Sequence, residues 1–372
     1  GDHRDLHSFP TRRSSDLGLS ATSAPLLVGG QDFQTITPMI LTFANNVSSR
    51  PLAALLALFL GVATIILLTI MIQIEKRGHY MSVSKVKTTI VKQKIRNPIL
   101  NVLAHVYAYL LFLIYVIPVA LVVLFSFTDS ATIASKHLTL SSFTLENYIS
   151  IFQKASSYKP FVVSIAYSAI AASFVAIIVL IACRILQKRK DRLGSALEYG
   201  LLIPWLLPTT LMALGLITTY NTPRVWMFNK VLTGTSVIML IGYIIIKIPF
   251  TLRMTKAAFF SLDDSLEDAA RNMGAKPFYT FMRVQLPIIL PTVLAIFALN
   301  FNGLLGDYDM SVFMYHPLNK PLGVYIKSLT DSETNADNAA LTFVYAVLMM
   351  IISAVVMYLV YGRGNKVDKS KD

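Results

Sequence analysis

Seven apolar runs alternate with short polar stretches along this chain. Each approaches the roughly 20 residues that a helix needs to cross a bilayer. They lie at about 51–73, 100–127, 160–183, 199–217, 231–251, 288–306 and 339–361. Pro204 and Pro208 interrupt the fourth, and the fifth ends at Pro249. Prolines are tolerated in membrane helices where neighbours or water satisfy the freed carbonyls. The pattern predicts an all-α integral membrane protein.

Lys and Arg then orient the runs. The connecting segments 74–99, 184–198, 247–287 and 362–372 hold 22 basic residues, and the alternate segments only 8. The excess of basic residues on the inner side puts the first set, and with it the C-terminus, in the cytoplasm. Residue 18 then lies outside. The outer stretch SFTDSATIASKHLTLSSFTLENY (126–148) reads either as an ordered cap or as a solvated loop.

Composition agrees with a lipid environment: 55% of residues are hydrophobic and 14% charged, with a mean hydropathy of +0.60. The net charge of +13 is explained by the one-sided basic clusters, and nucleic acid is not expected as a partner. A single cysteine, Cys183, inside an apolar run excludes a disulfide framework and a cysteine metal site. Residues 1–17, GDHRDLHSFPTRRSSDL, have neither periodicity nor the apolar core of a signal peptide. They look like a translated sequencing adapter, which leads to the expectation of a natural chain that begins upstream.

An internal echo supports the same expectation. Residues 24–73 and 311–360 both run through an apolar patch, a Gly/Pro turn, a second apolar patch and an Asn-containing polar stretch into a final membrane helix. Any outer loop before a helix shares some of this order. On the repeat reading, 18–74 is the C-terminal remnant of a first membrane domain and 75–98 a basic cytoplasmic linker. Residues 99–361 then form a complete second domain and 362–372 a cytoplasmic tail.

The polar segment before the sixth run has the most structure of its own. Ser265 suits a helix cap, with Asp268 three residues on. Leu262, Leu266, Ala269 or Ala270, and Met273 follow helical spacing. Gly274 suits a left-handed helix stop, and Pro277 the first position of a second short helix with Phe278, Phe281 and Met282 on one face. Pro287 and Pro291 mark the start of the next run. A helix–turn–helix lying on the inner membrane surface follows, either docking on a partner's groove or held by lipid.

Asp268-Ala269-Ala270, Gly274 and Val284-Gln285-Leu286-Pro287 also resemble, at matching spacing, the E-A-A-x3-G-x9-I-x-L-P loop of ABC importer permeases. Asp268 stands for Glu, Val284 for Ile, and Lys276 where a small cap such as Ser is common. GLLIPWLLPTTLMALGL (200–216), KIPFTLRMTKAAFFSL (247–262) and NFNGLLGDYDMSVFM (300–314) are similar to further stretches of the type I members. The resemblance implies a six-helix type I transmembrane domain, preceded here by the last helix of a first one. It implies a coupling loop carried by Glu267, Asp268, Ala269, Ala270, Gly274, Val284, Leu286 and Pro287. It also implies a bacterial inner-membrane location, an ABC ATPase dimer that alone holds ATP and Mg, and an extracytoplasmic solute-binding protein. The nearest look is to fused two-domain ferric-iron permeases, which makes ferric iron the expected substrate, with phosphonate, thiamine or polyamine as alternatives.

No G-x4-G-K-[ST], HExxH or GxSxG occurs, so neither ATP hydrolysis nor other catalysis is expected of this chain, and no cofactor. Pathway candidates are Pro204 and Pro208, which kink the fourth run, and Asn300 and Asn302 near the outer end of the sixth, followed by Asp307 and Asp309. Interhelical hydrogen bonding is the plainer role for the asparagines. An ion-driven secondary transporter is the rival class. It would carry paired acids and bases inside the spans and has no use for the long cytoplasmic loop.

Overall fold

The computed structural model describes residues 34–77, 95, 97–135, 137–189, 191–263, 265–330 and 338–362. The adapter-like segment, most of the basic linker and nearly all of the tail lie outside them. The described elements are helical, and their pairings outside helices are isolated bridges. Six helices are long and apolar enough to cross a membrane, or seven when one bent pair is counted as a span. This is an all-α, multi-pass membrane fold.

The described residues divide into two compact units, 34–77 with 159–325 and 352–362, and 95–158 with 326–351. In the first unit, α1 (Ile36–Asn45) folds back on α2 (Arg50–Arg77). Ala53, Ala57 and Leu60 recur at helical spacing and bury against Ile40 and against Leu211 and Leu214. The opposite face of α2 exposes Leu55, Leu58, Phe59 and Ile66, as a lipid-facing helix does.

In the second unit, Asn97 caps α3 (Pro98–Ser126) by accepting from Ile99 N, at 3.0 Å. The polar stretch after it is ordered. Ser126 Oγ meets Tyr148 Oη at 2.7 Å, Asn147 Nδ2 donates to Thr128 O at 2.8 Å, and Thr128 bridges to Phe143. These bonds tie 126–128 to 143–148, and α4 (Glu146–Gln153) follows from the end of the stretch.

α5 (Ala155–Lys188) buries Ala171, Val175, Val179 and Cys183 along one stripe. α6 (Arg192–Leu202) is capped by Asp191, whose Oδ1 accepts from Gly194 N at 2.9 Å. A 3₁₀ turn, Ile203–Leu206, leads to Pro208 and α7 (Thr209–Tyr220). The fourth run is therefore broken, with a bend of 106°. Pro208 forces Leu207 out of the helical region, to φ −108° and ψ 134°.

α8 (Ser236–Phe260) corrects the expected end of the fifth run, because it passes through Pro249 and continues for eleven residues. Beside the proline, Thr251 Oγ1 donates to Lys247 O at 2.8 Å. Consequently Lys247, counted among the inner-face basic residues, sits near the middle of a membrane helix.

α9 (Ser265–Asn272) is followed by α10 (Pro277–Leu305), then by α11 (Leu322–Thr330) and α12 (Asn338–Tyr361). Two further apolar clusters pack the first unit. Val175, Val179, Leu252, Phe259, Ile289 and Val293 form one, near α9 in sequence. Tyr167, Ala213, Ile238, Met239, Tyr243, Leu304 and Met310 form the other, towards the far end of α8. A Cβ at Gly242 would meet the flexible methyl ends of Met314 and, at 3.1 Å, of Met310, so a side chain there would displace both methionines.

Candidate functional site: the loop between α8 and α10

Residues 261–287 leave the end of α8, form α9, turn, and merge into α10. Asp263, not Ser265, opens α9: its Oδ1 accepts from Ser265 N at 2.9 Å, and Ser265 is already the first helical residue. Ser265 lies inside the first turn, where its own N–H needs an acceptor, and Asp263 supplies it. Asp268 bonds Arg271 Nη2 at 2.8 Å rather than completing a capping box.

At the other end, Gly274 takes φ +82°. Gly274 N bonds Arg271 O at 2.9 Å and Ala275 N bonds Ala270 O at 3.0 Å, the paired hydrogen bonds of a glycine-terminated helix. Nothing lies within 4 Å of a Cβ built at Gly274, so backbone conformation alone selects glycine.

Pro277 begins the second helix, as its fixed φ and missing N–H suit. That helix does not stop before the sixth run. It continues into α10 through a π turn, Phe281–Gln285, in which Leu286 N bonds Phe281 O. Pro287 cannot donate to Arg283 O and its ring crowds that carbonyl, so the preceding turn widens instead of the helix breaking.

The underside of the loop is held by a charge network. Arg184, at the end of α5, makes a bidentate pair with Glu267, Nη1–Oε2 and Nη2–Oε1 both 3.0 Å. Arg184 Nη1 also donates to Gln285 Oε1 at 2.9 Å and Gln187 Oε1 at 2.8 Å. Gln285 Nε2 donates to Glu267 Oε2 at 3.0 Å, and Lys188 Nζ stands 3.4 Å from Oε1. The guanidinium covers the Phe281 ring at 5.7 Å, and Phe281 stacks on Phe259. The Arg184 hydrogen bonds, partly opposed by desolvation, hold the Glu267 carboxyl down at about 2. Loop, α5 and α10 are thereby fixed to one another.

The candidate residues consequently divide. Glu267 and Ala270 face the bundle, Ala270 fully buried. Asp268 and Ala269 are exposed, as are Met273, Phe278, Tyr279 and Met282. The predicted apolar stripe of α9 thus splits into a buried alanine and an exposed methionine. Val284 and Leu286 are partly covered, Leu286 packing on the core beside α9, and Pro287 is exposed. The network partners Arg184, Gln187 and Lys188 were not among the expected residues. Their only mark in the sequence is a basic cluster at the end of an apolar run.

The remaining candidates scatter over the bundle. Pro204 lies in the 3₁₀ turn and Pro208 at the break of the bent span. Arg253 stacks over Trp205 in that turn at 4.8 Å, and Lys256 pairs with Glu198 of α6, so α8 is tied to the bent span by two charged contacts. Asn300 is buried and donates to Thr251 Oγ1 at 2.7 Å, a helix-to-helix bond. Asn302 reaches Ser353 O at 3.5 Å, and its Oδ1 is buried without a hydrogen-bond partner. The two asparagines therefore serve different neighbours. Asp307 Oδ2 accepts from Met310 N and Ser311 N and caps the short helix Ser311–Met314. Among the described residues no cluster of His, Cys, Asp and Glu has the makings of a metal site.

An all-helical, membrane-crossing bundle with a pinned amphipathic loop at one end has the form of a transport permease, and the known relatives agree. Residues 176–366 match the family of binding-protein-dependent transport system inner membrane components, and the chain belongs to that family. It is 36% identical over 341 residues to the probable ABC transporter permease protein y4fN of Sinorhizobium fredii, covering 91% of this chain but 59% of that protein. It is 24% identical over 212 residues to the putative 2-aminoethylphosphonate transport system permease protein PhnV of Salmonella paratyphi A, covering 57% and 78%. With the probable sulfate transport system permease protein cysT of Prototheca wickerhamii it shares 31% over 157 residues, covering 40% and 60%. In fold it is similar to a crystal structure of a bacterial ABC transporter involved in the import of the acidic polysaccharide alginate, with TM-score 0.58 and 15% identity over 72% of this chain and 96% of that one. These relatives are permease components, which perform no catalysis of their own.

Proposed function

We propose that the chain forms the translocation pathway of an ATP-driven importer and couples to a separate ATPase dimer through residues 262–287. The observation that carries this is the loop itself. The spacing of Asp268, Ala269, Ala270, Gly274 and Leu286-Pro287 coincides with a surface that exposes Met273, Phe278 and Tyr279 while Glu267 is tied to Arg184. A rigid mount with an apolar outer face suits the transmission of force from a docked partner. In this reading the loop and C-terminus face the cytoplasm of a bacterial inner membrane. A solute-binding protein delivers substrate to the other side. The ATPases act by binding the two states of the bundle unequally. Residues 18–74 are the tail of a first membrane domain, in keeping with the helical order α1–α2, which parallels α11–α12.

The resemblance of the sequence points to ferric iron as substrate. Two of the sequence relatives are named for 2-aminoethylphosphonate and for sulfate transport, which favours a small oxyanion or phosphonate. Uptake of labelled 2-aminoethylphosphonate, sulfate and ferric ion by cells carrying the full transporter tests both points. The importer reading expects uptake that survives collapse of the ion gradients and stops on ATP depletion. The reverse pattern would establish the secondary transporter instead.

A further inference from the structure

The connection between α7 and α8, residues 221–235, lies at the end of α8 opposite the coupling loop. α8 has 25 residues, about 37 Å at 1.5 Å each, against a hydrocarbon core of about 30 Å. With its far end at the loop surface, Ser236 stands within a few ångströms of the outer edge of the apolar layer.

The connection is tightly built. Arg224 and Lys230 form an antiparallel bridge around a 3₁₀ turn, Val225–Met227. Phe228 and Asn229 take φ 55° and 56°. A left-handed conformation is unfavourable for a residue as bulky as phenylalanine and marks a side chain placed for a purpose. Leu232 N donates to Tyr220 O at 3.1 Å and Arg224 Nε to Thr219 O at 2.9 Å, so the loop caps α7. Leu232 and Met227 pack into the core. Three apolar side chains are left projecting from this base: Val225 at 84%, Trp226 at 64% and Phe228 at 90% exposure. Arg224 stacks on Trp226 at 5.6 Å, and Lys230 is exposed beside them.

We propose that residues 224–230 are an interfacial anchor that seats Val225, Trp226 and Phe228 among the phospholipid headgroups of the outer leaflet, with Arg224 and Lys230 at the phosphates. Tryptophan beside basic side chains is the composition that settles at a membrane–water boundary. Arg224 and Lys230 complement anionic headgroups. Three side chains on one tip fall far short of the roughly 20–30 residues a side that a stable protein interface uses, whereas insertion into lipid gains with each apolar side chain separately. By holding the end of α7, the anchor fixes the outer half of the bent span.

The inference rests on the membrane topology of the proposed function but on no transport step. The test uses the full-length permease in nanodiscs, and the emission difference between wild type and Trp226→Phe isolates Trp226 from any other tryptophan. Quenching by phospholipids brominated near the glycerol end should exceed quenching by lipids brominated near the methyl end by about twofold, as expected at headgroup depth. It should be stronger with phosphatidylglycerol present than in phosphatidylcholine alone, and Arg224→Gln with Lys230→Gln should remove that difference. Water-like emission unquenched by either lipid would overturn the proposal. So would shielding that appears only when a solute-binding protein is added. Failure of uptake with intact quenching would count against the importer reading alone.

Discussion

Breaking the Arg184–Glu267 pair should loosen the coupling loop while leaving the bundle in the membrane. The Glu267 carboxyl falls from an ordinary 4.5 to about 2, chiefly through the Arg184 hydrogen bonds. That difference is equivalent to about 3 kcal/mol between the two protonation states. The side chain of Glu267 is 30% exposed and that of Lys188 45%, so solvent screening reduces the stabilisation to about 1–2 kcal/mol. Because the folded value lies below the ordinary one, the contribution is complete above pH 4.5 and is lost as the pH falls towards 2. At neutral pH the effect is therefore fully present. Glu267→Ala strands Arg184, whose side chain is only 14% exposed, so it should cost more than Glu267→Ala combined with Arg184→Met. The assay is a double-mutant cycle on reconstituted permease, scored by thermal unfolding and by stimulation of the ATPase. The expected coupling is about 1–2 kcal/mol with stimulation lost in both single variants. Additive effects would refute the network as the mount of the loop.

Gly274→Ala should cost about 1–2 kcal/mol through its left-handed backbone, with Gly274→Asn costing less; thermal unfolding of the two variants measures the order. Asn300→Ala should destabilise by about 1 kcal/mol through the lost bond to Thr251, and in a Thr251→Val background that penalty should shrink. Gly303→Val brings a Cβ to 3.0 Å from Lys247 Nζ and crowds that side chain; uptake should fall with membrane insertion, read by surface labelling, unchanged.

Elements governed by local pattern were legible in the sequence. Six of the seven apolar runs became unbroken helices because length and hydropathy decide that alone. Gly274 and Pro277 punctuate the loop where their backbone preferences require it. Misread details came from competition that the spacing does not reveal. Asp263 displaced Ser265 as the acceptor that opens α9. The loop's second helix ran on into α10 because a π turn absorbed Pro287. Arg184 escaped notice because its partner lies 83 residues away, and only tertiary packing of α5 against the loop creates the pair. The exposed tip at Trp226 was hidden for a similar reason. Hydropathy marks the apolar residues but not that Met227 turns inward while its neighbours turn out.

Coupling through residues 262–287 requires a partner protein on the exposed face of the loop. Cysteines placed at Met273 and Phe278 in the full transporter, reacted with a short bifunctional reagent in membrane vesicles, measure that contact. A cross-link to the ATPase subunit is expected from both positions, changing in yield when ATP is bound, and none from a cysteine at Leu55 on the exposed side of α2. Labelling of positions 273 and 278 by lipid-soluble reagents alone, with no ATPase captured in either nucleotide state, would contradict it.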